Sequence, residues 1–417
     1  MDLLETGVLL IFIVSYLFIA VNKTPWFEIR RSYVALIGGA AMIIIGALTL
    51  QQAFDAINFN VIFLLLGMMC LVAGLEYAGF FTLISDYLVE HCGNHVRLLA
   101  YIMILSAVLS ALALNDAVVL MFTPIVIRCC IRLRAEPIPY LVGLMMSSNI
   151  GSIATAVGNP QNAFIVTRAD MDFLTYSMHS VPISIVCLIA CFIILYLIFR
   201  KKLDGDPVVH DVEEGIPINK KRLYVMIPLL IATFVMFALS GYFGYELFHV
   251  ALVSGGIAIL LILIWKPKDI KWAVWRVDWN ILGFFIGLFV LIGAASASGL
   301  IADIASLFPG FREGEMPTVA GLSIFSTILS NLVSNVPATM LISEMLHDPP
   351  TYIWIALAAS STIAGNTTLI GSAANIIVAE RSESYGVKID FFRFMAIGVL
   401  VTVVTLALMI LMVSIMF

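Results

Sequence analysis

Charge is what this sequence most lacks. Of its 417 residues only 12% are Asp, Glu, Lys or Arg, whereas a soluble domain carries about 25% to cover its surface. That scarcity excludes a soluble globular protein of this length. The net charge of −5 says little, since what matters is where the charges sit, and no nucleic-acid partner is expected. The six cysteines (Cys70, Cys92, Cys129, Cys130, Cys187 and Cys191) have neither metal-ligand spacing nor an extracellular disulfide framework. Cys129-Cys130 reads as small apolar residues at a helix end, with a thiophilic metalloid as the alternative. All six histidines lie in or beside loops; His91 and His95, four apart, read as interfacial residues rather than a metal pair. With no His/Glu metal motif, no Ser–His pair and no second buried Asp facing Asp116, the chain is not expected to be an enzyme. It has no Gly-rich Lys-Ser/Thr motif for ATP, so primary pumping by this chain alone is not expected, and no cofactor is implied. The opening "MDLLETG" is acidic where a cleavable leader would be basic, so no leader is expected.

Apolar residues, by contrast, make up 62% of the chain, with a mean hydropathy of +1.07. Runs such as 33–50, 181–199, 223–240, 281–298 and 394–417 approach the roughly 20 apolar residues a helix needs to cross a bilayer. The fold class is therefore an all-α polytopic membrane protein, with about 10–11 transmembrane segments and the lipid bilayer as its solvent.

The few positive charges orient these segments. Treating 97–132 as a re-entrant hairpin places all Lys and Arg residues except Arg168 and Arg312 on one face, in loops at 22–32, 91–97, 128–134, 200–222, 266–276 and 381–393. The positive-inside rule makes that face cytoplasmic, with the 201–221 linker on it and both termini outside. A single crossing at 97–132 would scramble the segregation.

The linker separates two related halves, 1–200 and 222–417. A shift of 220 lays Asn60 on Asn280, Gly67 on Gly287, Gly79 on Gly299 and Asn115 on Asn335; a shift of 213 lays Thr155 on Thr368, Gly158 on Gly371 and Asn162 on Asn375. The first half is expected to hold a hairpin at 97–132 and a broken helix at 138–169. The second is expected to hold a hairpin at 316–347, opening toward the opposite face, and a broken helix at 351–380. Two inverted repeats of this kind place substrate and ions near the midplane, where interrupted helices expose backbone dipoles.

The polar interruptions fall where that architecture needs them. Hairpin tips carry Asn115-Asp116 and Ser334-Asn335, and the breaks carry Thr155 to Asn162 and Asn366 to Asn375. Unwound backbone in hydrocarbon costs several kcal/mol per unsatisfied group, so it persists only where it lines a protein cavity. Glycines at 158 and 371 permit the unwinding, and Pro160 enforces it. Amide and hydroxyl oxygens from Asn115, Thr155, Asn159, Asn162, Ser334, Asn335, Thr339, Asn366, Thr367, Thr368, Ser372 and Asn375 suit Na⁺, and N–H groups at half-helix N-termini suit an anion. The alternative is that these amides only glue helices together. Asp116, whose counterpart in the second half is Val336, is the candidate site for a coupling cation or proton, and it can also cap its helix.

The stretches "LNDAVVLMFTPIVI" (114–127), "SSNIGSIATAVGNPQNAFIV" (147–166), "LSNLVSNVPATMLIS" (329–343) and "AGNTTLIGSAANIIVAE" (364–380) resemble the ion transporter superfamily, in particular its ArsB/NhaD-like and citrate-transporter-like anion permeases. The resemblance covers nearly the whole chain. Dicarboxylate carriers of that group have Ser-Asn-Thr at both tips; "LND" and "SNV" here fit the ArsB-like branch better. It implies a first ion or substrate site at Asn115-Asp116 with Gly158-Asn159-Pro160-Gln161-Asn162. It implies a second at Ser334-Asn335, Pro337 and Thr339 with Gly371 to Asn375, and Na⁺ near Asn115, Asp116, Asn162, Asn335 and Asn375. It further implies a homodimer, an elevator motion and a prokaryotic-type plasma (inner) membrane location. The expected function is secondary transport of a small anion or arsenite-like metalloid, coupled to H⁺ or Na⁺. A Na⁺/H⁺ antiporter using Asp116 is the alternative, and a channel with Asn-Pro tips a remoter one.

Overall fold

The computed structural model describes residues 3–20, 30–91, 94–204, 219–312 and 314–417, apart from the side chains of residues 85, 89–91 and 132. Every regular element among them is helical. The first ten α-helices are α1 (Leu3–Ala20), α2 (Arg31–Ile44), α3 (Leu50–Ala56), α4 (Phe59–Ala78), α5 (Phe80–His91), α6 (His95–Leu112), α7 (Asn115–Arg132), α8 (Pro137–Ser152), α9 (Pro160–Arg168) and α10 (Phe173–Phe199). The second ten are α11 (Lys220–Phe243), α12 (Leu247–Trp265), α13 (Ile270–Arg276), α14 (Trp279–Ala297), α15 (Leu300–Ser306), α16 (Val319–Val333), α17 (Asn335–Met345), α18 (Thr351–Ala364), α19 (Ala373–Ser384) and α20 (Phe391–Met416). Each helix of the first set has its counterpart ten places later. Most of the 201–221 linker, residues 205–218, lies outside the described residues.

Among the described residues eight helices are long and apolar enough to cross a membrane: α1, α4, α6, α10, α11, α12, α14 and α20. Apolar helices α2, α16 and α18 are shorter. The chain is an integral membrane protein of helices, and lipid rather than water faces its outward side chains, such as Leu17, Ile185 and Leu260.

The last helices of the two halves establish the inversion. His179 of α10 stacks on Phe417, just beyond the end of α20, with ring centroids 4.6 Å apart. Further along α10, the Cys187 thiol lies 3.4 Å from the Thr405 carbonyl. Numbers rise along one helix as they fall along the other, so α10 and α20 run antiparallel. Equivalent helices pointing opposite ways put the symmetry axis in the membrane plane.

Glycines then lock the halves together. Without a hydrophobic drive between helices in lipid, close packing of small residues holds them. A Cβ on Gly67 of α4 would lie 2.3 Å from the backbone of Ala251 in α12, and one on Gly287 of α14 would lie 2.3 Å from the backbone of Ala35 in α2. These contacts are the same contact made twice, with the halves exchanged, so α2 with α14 and α4 with α12 form an interleaved scaffold. Gly79 and Gly299, equivalent by the shift of 220, end α4 and α14 at φ 89° and 78°, where any Cβ is strained.

Candidate functional site

Both helix breaks share one device, an asparagine that takes up the freed carbonyls, although only the first has an N-cap side-chain bond and a proline at its restart. Helix α8 stops at Ser152, and α9 restarts at Pro160 with Asn159 as its N-cap, the Asn159 side chain accepting from the Asn162 N–H (3.0 Å). Proline suits the first helical position because its missing N–H has no partner there anyway. The carbonyls freed at the end of α8 are met by Asn162, whose Nδ2 donates to the Ser152 and Thr155 carbonyls (2.9 and 3.2 Å). In the second half Asn375 Nδ2 donates to the Gly365 and Thr368 carbonyls (2.7 and 3.0 Å). The spacing of 213 residues is therefore a spacing of hydrogen bonds.

A cross-linked amide cluster joins the breaks. Asn149 is 1% exposed. Its Oδ1 accepts from Asn115 Nδ2 (3.2 Å) at the first tip and from Ser372 Oγ (3.1 Å) in the second break. Its Nδ2 donates to Asn366 Oδ1 (2.9 Å) and Asn375 Oδ1 (3.2 Å). The mirror position holds Thr362, whose hydroxyl accepts from Asn159 Nδ2 (3.1 Å) and donates to the Ala358 carbonyl (2.8 Å). Because that single proton is used, Asn162 Oδ1 is buried with no donor among the described residues.

The hairpin tips are built differently. At the first, Ala113-Leu114 link α6 to α7, and the Asn115 N–H donates to the Gly158 carbonyl (2.9 Å), pinning the tip to the first break. At the second, Ser334 alone links α16 to α17, at φ 79° and ψ 158°. That region is close to glycine-only and costs a serine about 1–3 kcal/mol. The Ser334 hydroxyl accepts from Arg31 Nη1 (3.0 Å), and Asn335 Oδ1 is buried with no partner among the described residues.

Between the tips lies a cavity of about 810 Å³. Of the residues expected in the site, Asn115, Asp116, Pro160, Ser334, Asn335 and Ser372 line it. Thr155, Gly158, Asn159, Asn162, Thr339, Asn366, Thr367, Thr368, Gly371 and Asn375 stand behind it. Thr155 donates to the Ala111 carbonyl (2.5 Å), Thr368 to Asn331 Oδ1 (3.3 Å), and Thr367 is paired with Thr402 (3.1 Å). Asn375 has both ends of its amide engaged inside the protein. Of the five residues expected near Na⁺, Asn162 and Asn335 keep an unpartnered buried oxygen. Arg30, Arg31, Asp116, Asp278 and Glu380 supply the cavity's charges. Its lining includes the first residues of α2 (Arg31, Ser32), the first turn of α14 (Asn280, Ile281) and Glu380 of α19.

Sequence reasoning missed Asn149 and Arg31. Asn149 stands opposite Thr362, so no asparagine match flagged it, and Arg31 was counted only as a loop charge. The cavity needs both.

A Cβ at Gly158 would meet only backbone: Ser152 O at 2.3 Å, Ser152 Cα at 2.8 Å and Ser110 O at 2.9 Å. At Gly371 it would meet two side-chain ends, Asn331 Oδ1 (2.9 Å) and Thr368 Oγ1 (3.2 Å), and one backbone atom, the Ala364 carbonyl oxygen, at a looser 3.3 Å. Gly158→Ala should therefore lower stability by about 2 kcal/mol and Gly371→Ala by less than about 1. Thermal unfolding of the purified variants checks the order; equal losses would show that the first break tolerates a side chain.

The chain's similarity to known proteins agrees with this geometry. A family profile described as "Citrate transporter" matches residues 16–348. An uncharacterized transporter of Mycobacterium tuberculosis, Rv2684, is 30% identical over 417 residues, covering 95% of this chain and 95% of its own. The silicon efflux transporter LSI3 of Oryza sativa subsp. japonica is 25% identical, covering 93% of each chain. The crystal structure of the Alcanivorax borkumensis YdaH transporter superposes with a TM-score of 0.58 over 99% of this chain and 98% of its own, at 12% identity. That likeness is one of fold.

Proposed function

This chain belongs to the citrate transporter family and is a membrane transporter; from that premise we propose that it is a secondary carrier of a small oxyanion or a metalloid hydroxide. Transport is coupled to H⁺ or Na⁺ at Asp116 and proceeds by alternating access. One observation carries the reading: each half contributes one hairpin tip and one break to a single cavity. Such a pocket can be exposed to either side by moving the hairpins against the interleaved scaffold.

The charges bear on the cargo. Two guanidiniums against three carboxylates give a cavity that repels a bare multivalent anion when all are ionised. An anion then enters with a proton or cation, or the cargo is an uncharged hydroxide, in keeping with the silicon named for the rice relative. The same reading places the protein in a prokaryotic-type plasma membrane with both termini outside, and has it work as a homodimer with an elevator displacement.

Purified protein in liposomes, given citrate, phosphate, arsenite or silicic acid under an imposed pH or Na⁺ gradient, should move at least one of them in a gradient-dependent way. Failure with all four under both gradients would overturn the reading. Na⁺-dependent proton flux in the absence of these solutes would replace it with an antiporter.

A further inference from the structure

We propose that Arg31 is a specificity-determining residue of the cavity: its guanidinium latches the second hairpin tip, and the substrate's oxygens release that latch by taking it over. The inference rests on the carrier reading of the cavity and deepens it.

Three observations meet at this point. Arg31 opens α2, which is interlocked with α14 through Gly39 and Gly287, so its Cα belongs to the scaffold. Its Nη1 donates to Ser334 Oγ (3.0 Å), on the hairpin of the opposite half. Its Nε is buried and has no acceptor among the described residues. A guanidinium offers its N–H groups as a planar fork suited to two oxygens on one centre, and here Nη1 holds a hydroxyl while Nε has no acceptor among the described residues.

The tip is the second part. Ser334 stands at φ 79° and ψ 158°, while its counterpart Leu114 stands at an unstrained φ −56° and ψ 127°. The first tip is tied back by Asn115 to Gly158 and Asn149. At the second, Asn335 is 9% exposed and its Oδ1 has no donor among the described residues. The arms of the second hairpin are tied, Asn331 to Ala364, Thr367 and Thr368 in the break behind it and Pro337 to Tyr16, but the strained tip residue Ser334 is itself held from across the cavity by Arg31. Releasing Ser334 therefore loosens the second tip and not the first, whose Asn115 keeps its own bonds to Gly158 and Asn149.

The unmet groups describe the ligand. Arg31 Nε calls for an acceptor and Asn335 Oδ1 for a donor. A partly protonated oxyacid, with two oxygens on one carbon, phosphorus or metalloid centre and at least one O–H, supplies both. As it binds, it competes with Ser334 for the guanidinium.

The two ends of the Arg31–Ser334 hydrogen bond should then respond in opposite directions. With the full-length protein in liposomes, and labelled citrate and arsenite as probes, Arg31→Lys keeps the charge but loses the fork, and should raise KM at least tenfold with the maximal rate within about twofold. Ser334→Ala removes the competitor and should lower KM about threefold or more. A purely structural bond would shift both variants the same way, and that result, or no shift in either, overturns the proposal. Hydrogen–deuterium exchange supplies a readout independent of the probe. Arg31→Ala should speed exchange at 333–338 at least tenfold while leaving 113–117 unchanged, and unchanged exchange at 333–338 also overturns it. If the wild type moves neither probe but Arg31→Ala frees the second tip, the latch stands and the choice of cargo falls.

Discussion

Replacing Asp116 with Asn should collapse gradient-driven accumulation to a concentration ratio near one, in a protein that still folds. Asp116 sits in the first turn of α7 and lines the cavity, within electrostatic reach of Arg31 and Asp278. Asn keeps the shape, and the lost interaction with the helix terminus is worth about 0.3–1 kcal/mol, small beside a total stability of about 5–15 kcal/mol. The effect on coupling is larger. One proton moving down one pH unit supplies about 1.4 kcal/mol, a tenfold ratio across the membrane, and a site that no longer titrates cannot use it. The other carboxylates of the cavity are differently placed. Asp278 is exposed and its Oδ1 already caps α14, accepting from the Asn280 and Ile281 N–H groups (3.0 and 3.2 Å). Asp278→Asn should therefore keep the accumulation ratio within about twofold of the wild type. Liposome uptake under a pH gradient, and separately under a Na⁺ gradient at constant pH, measures both. An Asp116→Asn protein that still accumulates solute tenfold per pH unit would reduce this residue to a first-turn acid.

The broad fold was legible because the bilayer leaves few options. A chain this apolar must satisfy its backbone within helices, so any glycine-rich polar gap has to mark a cavity, and gaps repeated at 213 and 220 residues have to mark two copies. Gly158 and Gly371, Asn162 and Asn375 are conspicuous for that reason: the two asparagines make the same pair of hydrogen bonds in their halves, and the two glycines mark the breaks, the first packed on backbone and the second mainly on side-chain ends. What stayed hidden is where the halves differ. Nothing in "SSNIGS" distinguishes Asn149 from a residue that merely sits on a helix, since its role lies in four partners contributed by distant segments. Arg31 is hidden by the rule that made the topology readable. A basic residue beside a cytoplasmic loop is ordinarily a topological signal, and only the fold shows that its side chain reaches Ser334, 303 positions later in the chain. The strain at Ser334 is equally invisible, because serine carries no mark of the backbone angle imposed on it.

Asn149→Leu should be the most damaging polar substitution in the transport core. Leucine fills a similar volume but neither donates nor accepts. The change breaks bonds to Asn115, Ser372, Asn366 and Asn375, four links among the first tip, the first break and the second break. Each is worth about 0.6–1 kcal/mol in a membrane protein, so the summed loss is about 2–4 kcal/mol, and the first tip and second break, which line the cavity, lose the amide behind them that bonds both. Thr362→Val is the matched control. It removes the acceptor for Gln161 and one of two for Asn159, which keeps Ser152 Oγ, but leaves the second break's own ties to Asn149 intact, and should cost about 1 kcal/mol. Thermal unfolding in detergent gives the ranking, and transport should disappear in Asn149→Leu while surviving in Thr362→Val. Equal losses would mean that the cluster is a diffuse adhesive in which no residue is privileged. A threefold or larger difference would mean that the pseudo-symmetric halves are held in register by one asymmetric amide, so that the two breaks move together.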